Sequence, residues 1–230
     1  MKYVKWMIAS LAVSTLACIS SPMMTSAVTP QGLSVGGSVV YQTASRGVRW
    51  QDDDGNYGAF EADLKGVRPD FLISYGISPT FGVEGHFGVL VSGVARWDGG
   101  DEDDAYDDSL VIPIPMAGLG FKLSTPGTKM FNAALRMDVD LPNIACFTPM
   151  MGLSTKSGHE FITAGVQTSL LLLPQTAFIN IHPFKGAHIY GGVDFLKFTQ
   201  EVYGYELLGN LAFQSFSVGI AYSYNFGKKN

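Results

Sequence analysis

Large apolar residues alternate with small or polar residues along most of the chain. The last stretch is the clearest, because one face is entirely large and apolar while the other carries Ser, Gly, Ala and Asn. The apolar face comprises Phe216, Val218, Ile220, Tyr222, Tyr224 and Phe226. Similar alternation recurs in residues 33–43, 67–77, 81–95, 111–123, 131–141, 161–172, 176–184 and 189–198. Successive side chains of a β-strand point to opposite sides, so this period of two predicts an all-β protein.

Composition indicates which environment each face of these strands meets. Charged residues make up 15% of the chain, against about 25% in an average soluble domain. The second face is mostly Gly, Ser and Ala with a few charges, which suits a narrow polar interior and leaves the apolar face for lipid. Strands can cross a bilayer only as a closed barrel, because every backbone polar group must be paired internally. We therefore predict a closed antiparallel transmembrane β-barrel.

Two strand counts, ten and eight, are compatible with the sequence. Both chain ends should lie on the same side, so an even number is expected. Residues 145–154 could supply a tenth strand; alternatively, residues 161–184 form one long strand kinked at Pro174, and the barrel has eight. Turn-forming residues at 77–80, 125–128 and 185–186 predict short periplasmic turns. Longer polar connections at 44–64, 97–109 and 203–210 predict extracellular loops.

The first 27 residues have the features of an export signal. Lys2 and Lys5 precede an apolar run over residues 6–19, and small residues end at Ala27. The run is too short and too diluted by Ser and Thr for a spanning helix. We therefore expect cleavage after Ala27 and a single barrel domain over residues 28–230. Lipidation of Cys18 is an alternative, although Thr15 stands where a lipobox carries an aliphatic residue.

The mature chain would be acidic and would hold one cysteine. Two of the 15 basic residues and none of the 20 acidic residues lie in the leader, so the mature net charge would be −7. A chain this acidic is not expected to bind nucleic acid. Cys146 would be the sole cysteine, which excludes an intrachain disulfide.

Charged residues of the second face are candidates for lining the lumen. They are Arg68, Asp70, Glu84, His86, Arg136 and Asp138, with Lys122 as a further candidate. Their spacing offers potential pairs, and a narrow interior that excludes water requires such pairing. One interpretation is a rigid, plugged barrel, which we favour. The other is a selectivity ring in a narrow pore.

An acidic segment lies in one predicted loop, where seven of the eleven residues 98–108 are Asp or Glu. Hard cations such as Ca²⁺ prefer oxygen ligands, but the ordered ligand spacing of an EF-hand is lacking. Weak metal candidates are Asp101, Asp103, Asp104, Asp107 and Asp108. We favour a solvated extracellular loop, with cation bridging to lipopolysaccharide phosphates as an alternative. No cofactor is expected.

One further group of residues is a candidate catalytic site. His159 and Glu160, with Ser154 or Ser157, could form a hydrolytic site, but no motif frames them, and we expect no enzymatic activity.

Aromatic residues at strand ends predict two girdles at the membrane interfaces. One girdle comprises Trp50, Trp97, Tyr106, Tyr203 and Tyr205, and the other Tyr222, Tyr224 and Phe226.

Three segments resemble small bacterial outer-membrane barrels of the OmpA/OmpW type. They are the terminal strand SVGIAYSYNF (217–226), the strand–turn–strand FLISYGISPTFGVE (71–84) and the strand IPIPMAGLGF (112–121). The resemblance implies that the outer-membrane assembly machinery reads Tyr222, Tyr224 and Phe226. It also implies passage of small solutes, hydrophobic ones among them.

Three functions follow as hypotheses. The first is a narrow, porin-like channel in the outer membrane of a Gram-negative cell. The second is a plugged structural barrel that displays its acidic loops to lipopolysaccharide, a host or another surface partner. The third is a soluble periplasmic β-protein. In the first two, outer-membrane lipid and lipopolysaccharide surround the barrel.

Overall fold

The computed structural model describes residues 25–51, 57–91, 94–98, 113–127, 130–141, 145–169, 174–194, 199–202, 205–208 and 216–227. The regular structure of this part of the chain is entirely β. Its strands are β1 (Gly32–Gln51), β2 (Tyr57–Ser78), β3 (Phe81–Leu90), β4 (Val94–Asp98), β5 (Ile114–Ser124), β6 (Phe131–Leu141), β7 (Cys146–Ser154), β8 (Glu160–Ser169), β9 (Pro174–Ile181), β10 (Ala187–Asp194), β11 (Thr199–Val202), β12 (Tyr205–Leu208) and β13 (Phe216–Asn225). Among the described residues, no helix is long and apolar enough to cross a membrane.

Ten antiparallel strands close into a barrel. Their order around the ring is β1-β13-β10-β9-β8-β7-β6-β5-β3-β2, and β2 pairs with β1 again. The closing pairs run from Gly32 opposite Gly76 to Gln51 opposite Tyr57. On its other edge, β1 pairs with β13. The predicted closed, antiparallel, all-β barrel is thus confirmed. Outside the ring, β4 pairs with the first part of β2, and β11 pairs with β12.

The strand count resolves to ten, and the eight-strand alternative is wrong. Strands β8 and β9 pair antiparallel with each other, so the chain reverses between Ser169 and Pro174 rather than continuing through a kink. Pro174 is the first residue of β9, a position where the missing N–H of proline is tolerated. The predicted tenth strand at 145–154 is β7, Cys146–Ser154.

The predicted connections are partly right. At one end of the barrel the turns are short, and only Pro79 and Thr80 separate β2 from β3. The predicted loop at 44–64 is wrong, because β1 continues to Gln51 and pairs with β2 from Tyr57 onward. Polar composition suggested a loop there, but a paired hairpin also tolerates polar residues where it leaves the membrane. Most of the predicted loop at 97–109 lies outside the described residues, and residues 205–208 of the third loop form β12.

The two faces of the ring have opposite chemistry. In the described residues, 24 buried side chains are polar or charged and 10 are hydrophobic. Large apolar side chains lie on the outside, where Phe71, Ile73 and Ile189 are each almost half exposed. This is the reverse of a water-soluble protein, and it is the distribution that a lipid-facing barrel requires.

A charged residue on the lipid face should destabilise the barrel according to its depth. Ile73 lies five residues from the end of β2, about 12 Å along the membrane normal for a tilted strand, near the middle of the apolar band. We expect Ile73→Arg to lower the free energy of unfolding by about 2–4 kcal/mol. Ile77→Arg, one residue from the end of the same strand, is the matched control and should cost only about 0–1 kcal/mol.

The measurement is urea unfolding in phospholipid vesicles, followed by tryptophan fluorescence. Equal destabilisation by both variants would contradict a membrane band centred on Ile73.

Candidate functional site: the barrel lumen

Four neighbouring strands, β2, β3, β5 and β6, supply most of the charged side chains of the lumen. Strand register places Glu84 opposite Gly120 and Gly120 opposite Asp138. Likewise, Gly118 lies between His86 and Asp140. A Cβ at Gly118 would overlap both the Asp140 carboxylate and the His86 ring. Glycines on β5 therefore let charged side chains from both neighbouring strands meet across them.

Arg68 forms the first charged group of the lumen. Its Nε lies 2.9 Å from Asp70 Oδ2, and its Nη1 donates to Gln42 Oε1 at 3.1 Å. Ser38 donates to Asp70 at 3.4 Å. The guanidinium is fully buried, so these partners replace the water that it would otherwise bind.

Arg136 is the centre of a second, larger group. Its Nε lies 2.9 Å from Asp138 Oδ1 and 3.0 Å from Glu84 Oε2. Lys122 Nζ lies 3.2 Å from the other oxygen of Glu84. Two cations and two carboxylates thus alternate along one wall of the lumen.

His86 extends this group to Asp140. Arg136 Nη2 lies 3.3 Å from His86 Nδ1, and His86 Nε2 lies 2.9 Å from Asp140 Oδ1. Because a guanidinium can only donate, His86 Nδ1 is the acceptor in its contact with Arg136. The His86 ring therefore links Arg136 to Asp140 across β5.

The same residues contain a grouping that could hold a metal ion. Ligand atoms of His86, Asp138 and Asp140 lie within 4.8 Å of one another. However, Asp138 already binds Arg136, and His86 already binds Asp140. The arrangement is better described as a charge-paired network than as an open metal site. The weaker candidates in the acidic segment 98–108 lie outside the described residues.

All six predicted lumen charges lie buried inside the barrel. The expected pairs Arg68–Asp70 and Arg136–Asp138 are present. The third expected pair differs, because Glu84 binds Lys122 and Arg136 while His86 binds Asp140. Asp140 was not among the predicted residues, although it follows Asp138 at the period of two that marks the same strand face.

The opposite wall of the lumen carries mainly uncharged side chains. Thr163, Thr176 and Asn180 are fully buried. Beside them, the rings of Phe178 and Tyr190 lie 6.4 Å apart, within an apolar cluster that also holds Val40, Ala134, Met150 and Ala27. The Tyr190 hydroxyl is 2.8 Å from Ser217 Oγ. One side of the lumen therefore holds most of its charges, whereas the other side is mainly uncharged and carries the Glu160 carboxylate.

A segment preceding β1 enters the lumen at the short-turn end. Lys122 Nζ donates to the carbonyl oxygens of Ser26 and Val28, both at 3.3 Å. Asn180 Nδ2 donates to the carbonyl oxygen of Thr25 at 3.1 Å. Glu160 Oε1 accepts from the Ala27 N–H at 2.9 Å. Residues 25–29, called the amino-terminal segment below, thus cross the lumen from the rim inward.

The residues considered for hydrolysis are not arranged for it. Ser154 Oγ accepts from Asn132 at 2.8 Å, whereas the His159 ring meets the carbonyl oxygen of His182 at 3.0 Å. Glu160 instead binds Thr163 and lies 3.5 Å from His182 Nε2. In the described residues, no serine thus meets the His159 imidazole that would activate it. That the protein is not an enzyme stays a prediction.

The aromatic residues of the terminal strand lie on the lipid face. Tyr222, Tyr224 and Phe226 are all more than half exposed, and the last two rings are 4.8 Å apart. Their position suits a girdle at the short-turn end. Their recognition by the assembly machinery stays a prediction. The side chains proposed for the opposite girdle lie outside the described part of the chain.

A closed barrel with an apolar outside and a polar, charge-paired inside defines the class of transmembrane β-barrel proteins. The apolar exterior argues against the soluble periplasmic alternative.

No protein-family model matches the chain, and no curated protein matches it. One similar solved structure is the toluene transporter TodX of P. putida. It is 11% identical, the match covers 92% of this chain and 94% of that chain, and the TM-score is 0.32. The barrel assignment therefore rests on the chain's own strand pairing, and membership of the OmpA/OmpW type stays a prediction.

The glycine between His86 and Asp140 should be essential to the charge network. We expect Gly118→Ala to lower the free energy of unfolding by about 1–3 kcal/mol, because the displaced Asp140 leaves buried polar atoms unpaired. Gly37→Ala is the matched control, since a Cβ there meets only the carbonyl oxygen of Asp70 at 3.8 Å. Chemical unfolding in detergent micelles measures both, and a silent Gly118→Ala would contradict the packing described.

Proposed function

We propose that the protein is an integral outer-membrane β-barrel that acts as a narrow channel for small solutes. The observation that carries this proposal is the amino-terminal segment within the lumen. A lumen that holds a stretch of backbone from outside the ring, in addition to its own side chains, is wide enough to pass a small molecule when that stretch moves aside. A barrel filled only by side chains from its own wall would leave no such path.

The outer membrane is the compartment that best fits the chain. A closed ring with an even number of antiparallel strands is the architecture of bacterial outer-membrane proteins. The features of residues 1–27 support export across the inner membrane. Lipid and lipopolysaccharide would then surround the barrel, and the assembly machinery would insert it.

The chemistry of the lumen supports an uncharged solute. The charges on one wall are engaged in pairs with each other, so they attract neither anions nor cations strongly. The other wall offers hydroxyl and amide groups at Thr163, Thr176 and Asn180, beside the rings of Phe178 and Tyr190. Such a surface can accept neutral solutes with hydrophobic parts.

A closed structural or surface-interaction barrel is the second candidate. It is favoured by the complete burial of Arg68 and Arg136, whose ion pairs occupy one side of the lumen. In this case the loops would carry the function, through lipopolysaccharide or a surface partner.

Conductance separates the two candidates. In planar bilayers, we expect the full protein to give brief, discrete conductance steps, and liposomes that contain it to swell in small neutral sugars. Lys122→Met should prolong the openings, because it removes the donor to two carbonyl groups of the amino-terminal segment. Lys156→Met is the matched control, since Lys156 is exposed in the turn after β7 and should leave the openings unchanged.

Silent bilayers and unswollen liposomes for both the wild type and Lys122→Met would reject the channel and favour the closed barrel.

A further inference from the structure

We propose that the mature protein retains Thr25, Ser26 and Ala27, so that the leader is removed upstream of Thr25 rather than after Ala27. The retained amino-terminal segment then serves as a built-in plug, bound in the lumen as a non-helical peptide that bends at Ala27 and Val28. The binding site for this peptide is formed by Lys122 on β5, Glu160 on β8 and Asn180 on β9.

This site recognises the backbone of the segment. Glu160 accepts the N–H of Ala27, Asn180 donates to the carbonyl of Thr25, and Lys122 donates to two further carbonyls. An acceptor faces the N–H and donors face the carbonyls, as a bound peptide strand requires. These three residues belong to three different strands, so the closed barrel is what brings them together.

Side chains add contacts at both ends of the segment. The Thr25 hydroxyl lies 3.7 Å from Met150 Sδ deep in the lumen, and the Thr29 hydroxyl lies 2.6 Å from Ser124 Oγ near the rim. Thr25 and Ala27 are among the most buried residues of the described chain. The contacts thus extend on both sides of the bond that cleavage after Ala27 would break.

Glycines of the wall provide the room for the segment. A Cβ at Gly152 would lie 2.9 Å from Ala27 Cβ, and one at Gly82 would lie 3.0 Å from Thr29 Cγ2. Any side chain at Gly76 would overlap the carbonyl of Pro30. Ala27 itself has no exposed surface, so a larger residue would not fit there. Packing within the lumen therefore explains a small residue at position 27 without a cleavage site.

Cleavage after Ala27 would separate these partners. The Ala27 N–H would be lost from Glu160, a carboxylate buried near the short-turn end. Leaving a buried acceptor with one donor fewer is unfavourable. Cleavage upstream of Thr25 keeps every contact described. A role of the plug in regulating passage rests on the proposed channel function. The retention of the segment and its position in the lumen do not depend on that function.

The first test is the intact mass of the full protein, exported with its own leader and extracted from the outer membrane. A first residue at or before Thr25 supports retention. A chain that starts at Val28 overturns the proposal. Lipidation of Cys18 would appear as added mass and would also leave the segment in place.

The second test locks the segment at the rim. Val28 Cβ lies 3.6 Å from the position of a Cβ at Gly127, within the range of about 3.5–4.5 Å that a disulfide spans. In a Cys146→Ala background, Val28→Cys with Gly127→Cys should cross-link on oxidation, while Val28→Cys alone should not. Failure of the pair to cross-link in the folded barrel overturns the proposed position of the segment.

The same cross-linked pair tests two claims separately: that the protein is a channel, and that the segment closes it. Conductance steps that are present in the reduced protein and lost on oxidation support a plug that closes the channel. Steps that persist after complete cross-linking overturn it as a gate. Silence in both states, with the cross-link and the mass as expected, rejects the channel but leaves the bound segment established.

Discussion

The structure depends on one constraint, that no backbone N–H or C=O may face lipid without a partner. Strand β1 meets it by pairing with β2 on one edge and, over residues 34–42, with β13 on the other, which closes the ring of described strands. Closure then fixes which way every side chain points. One set meets lipid and must be apolar, and the other set shares the enclosed lumen.

Confinement in that lumen explains why charges and glycines occur together. A buried charge without a partner is costly, so Arg136 needs both Glu84 and Asp138. Glu84 lies on β3 and Asp138 on β6, with β5 between them. Side chains from these two strands can meet only where β5 carries no inward side chain of its own. Gly118 and Gly120 provide this gap, because a Cβ at either position would overlap the neighbouring charged side chains. The charged side chains therefore pack over the glycines of β5, and the amino-terminal segment lies elsewhere in the lumen.

The sequence predicts strands well where alternation is strict. The run 131–141 coincides with β6, and the Arg68–Asp70 and Arg136–Asp138 pairs follow from residues two apart on one strand face. Contacts between distant strands were not predictable in the same way. Glu160 and Ala27 are 133 residues apart, and no local pattern connects them. The segment before β1 has no periodicity, and its small residues also fit the end of a leader.

The two closing elements of the lumen differ in how readily they can move. The charge network joins side chains of the wall to one another by short ion pairs, although Lys122 also donates to the segment. The amino-terminal segment is held mainly through single hydrogen bonds to its backbone, such as that from Asn180 to Thr25. Water can take over each of these bonds at little enthalpic cost if the segment leaves. Any opening of this barrel should therefore begin with the segment, while the charge network keeps the wall in shape.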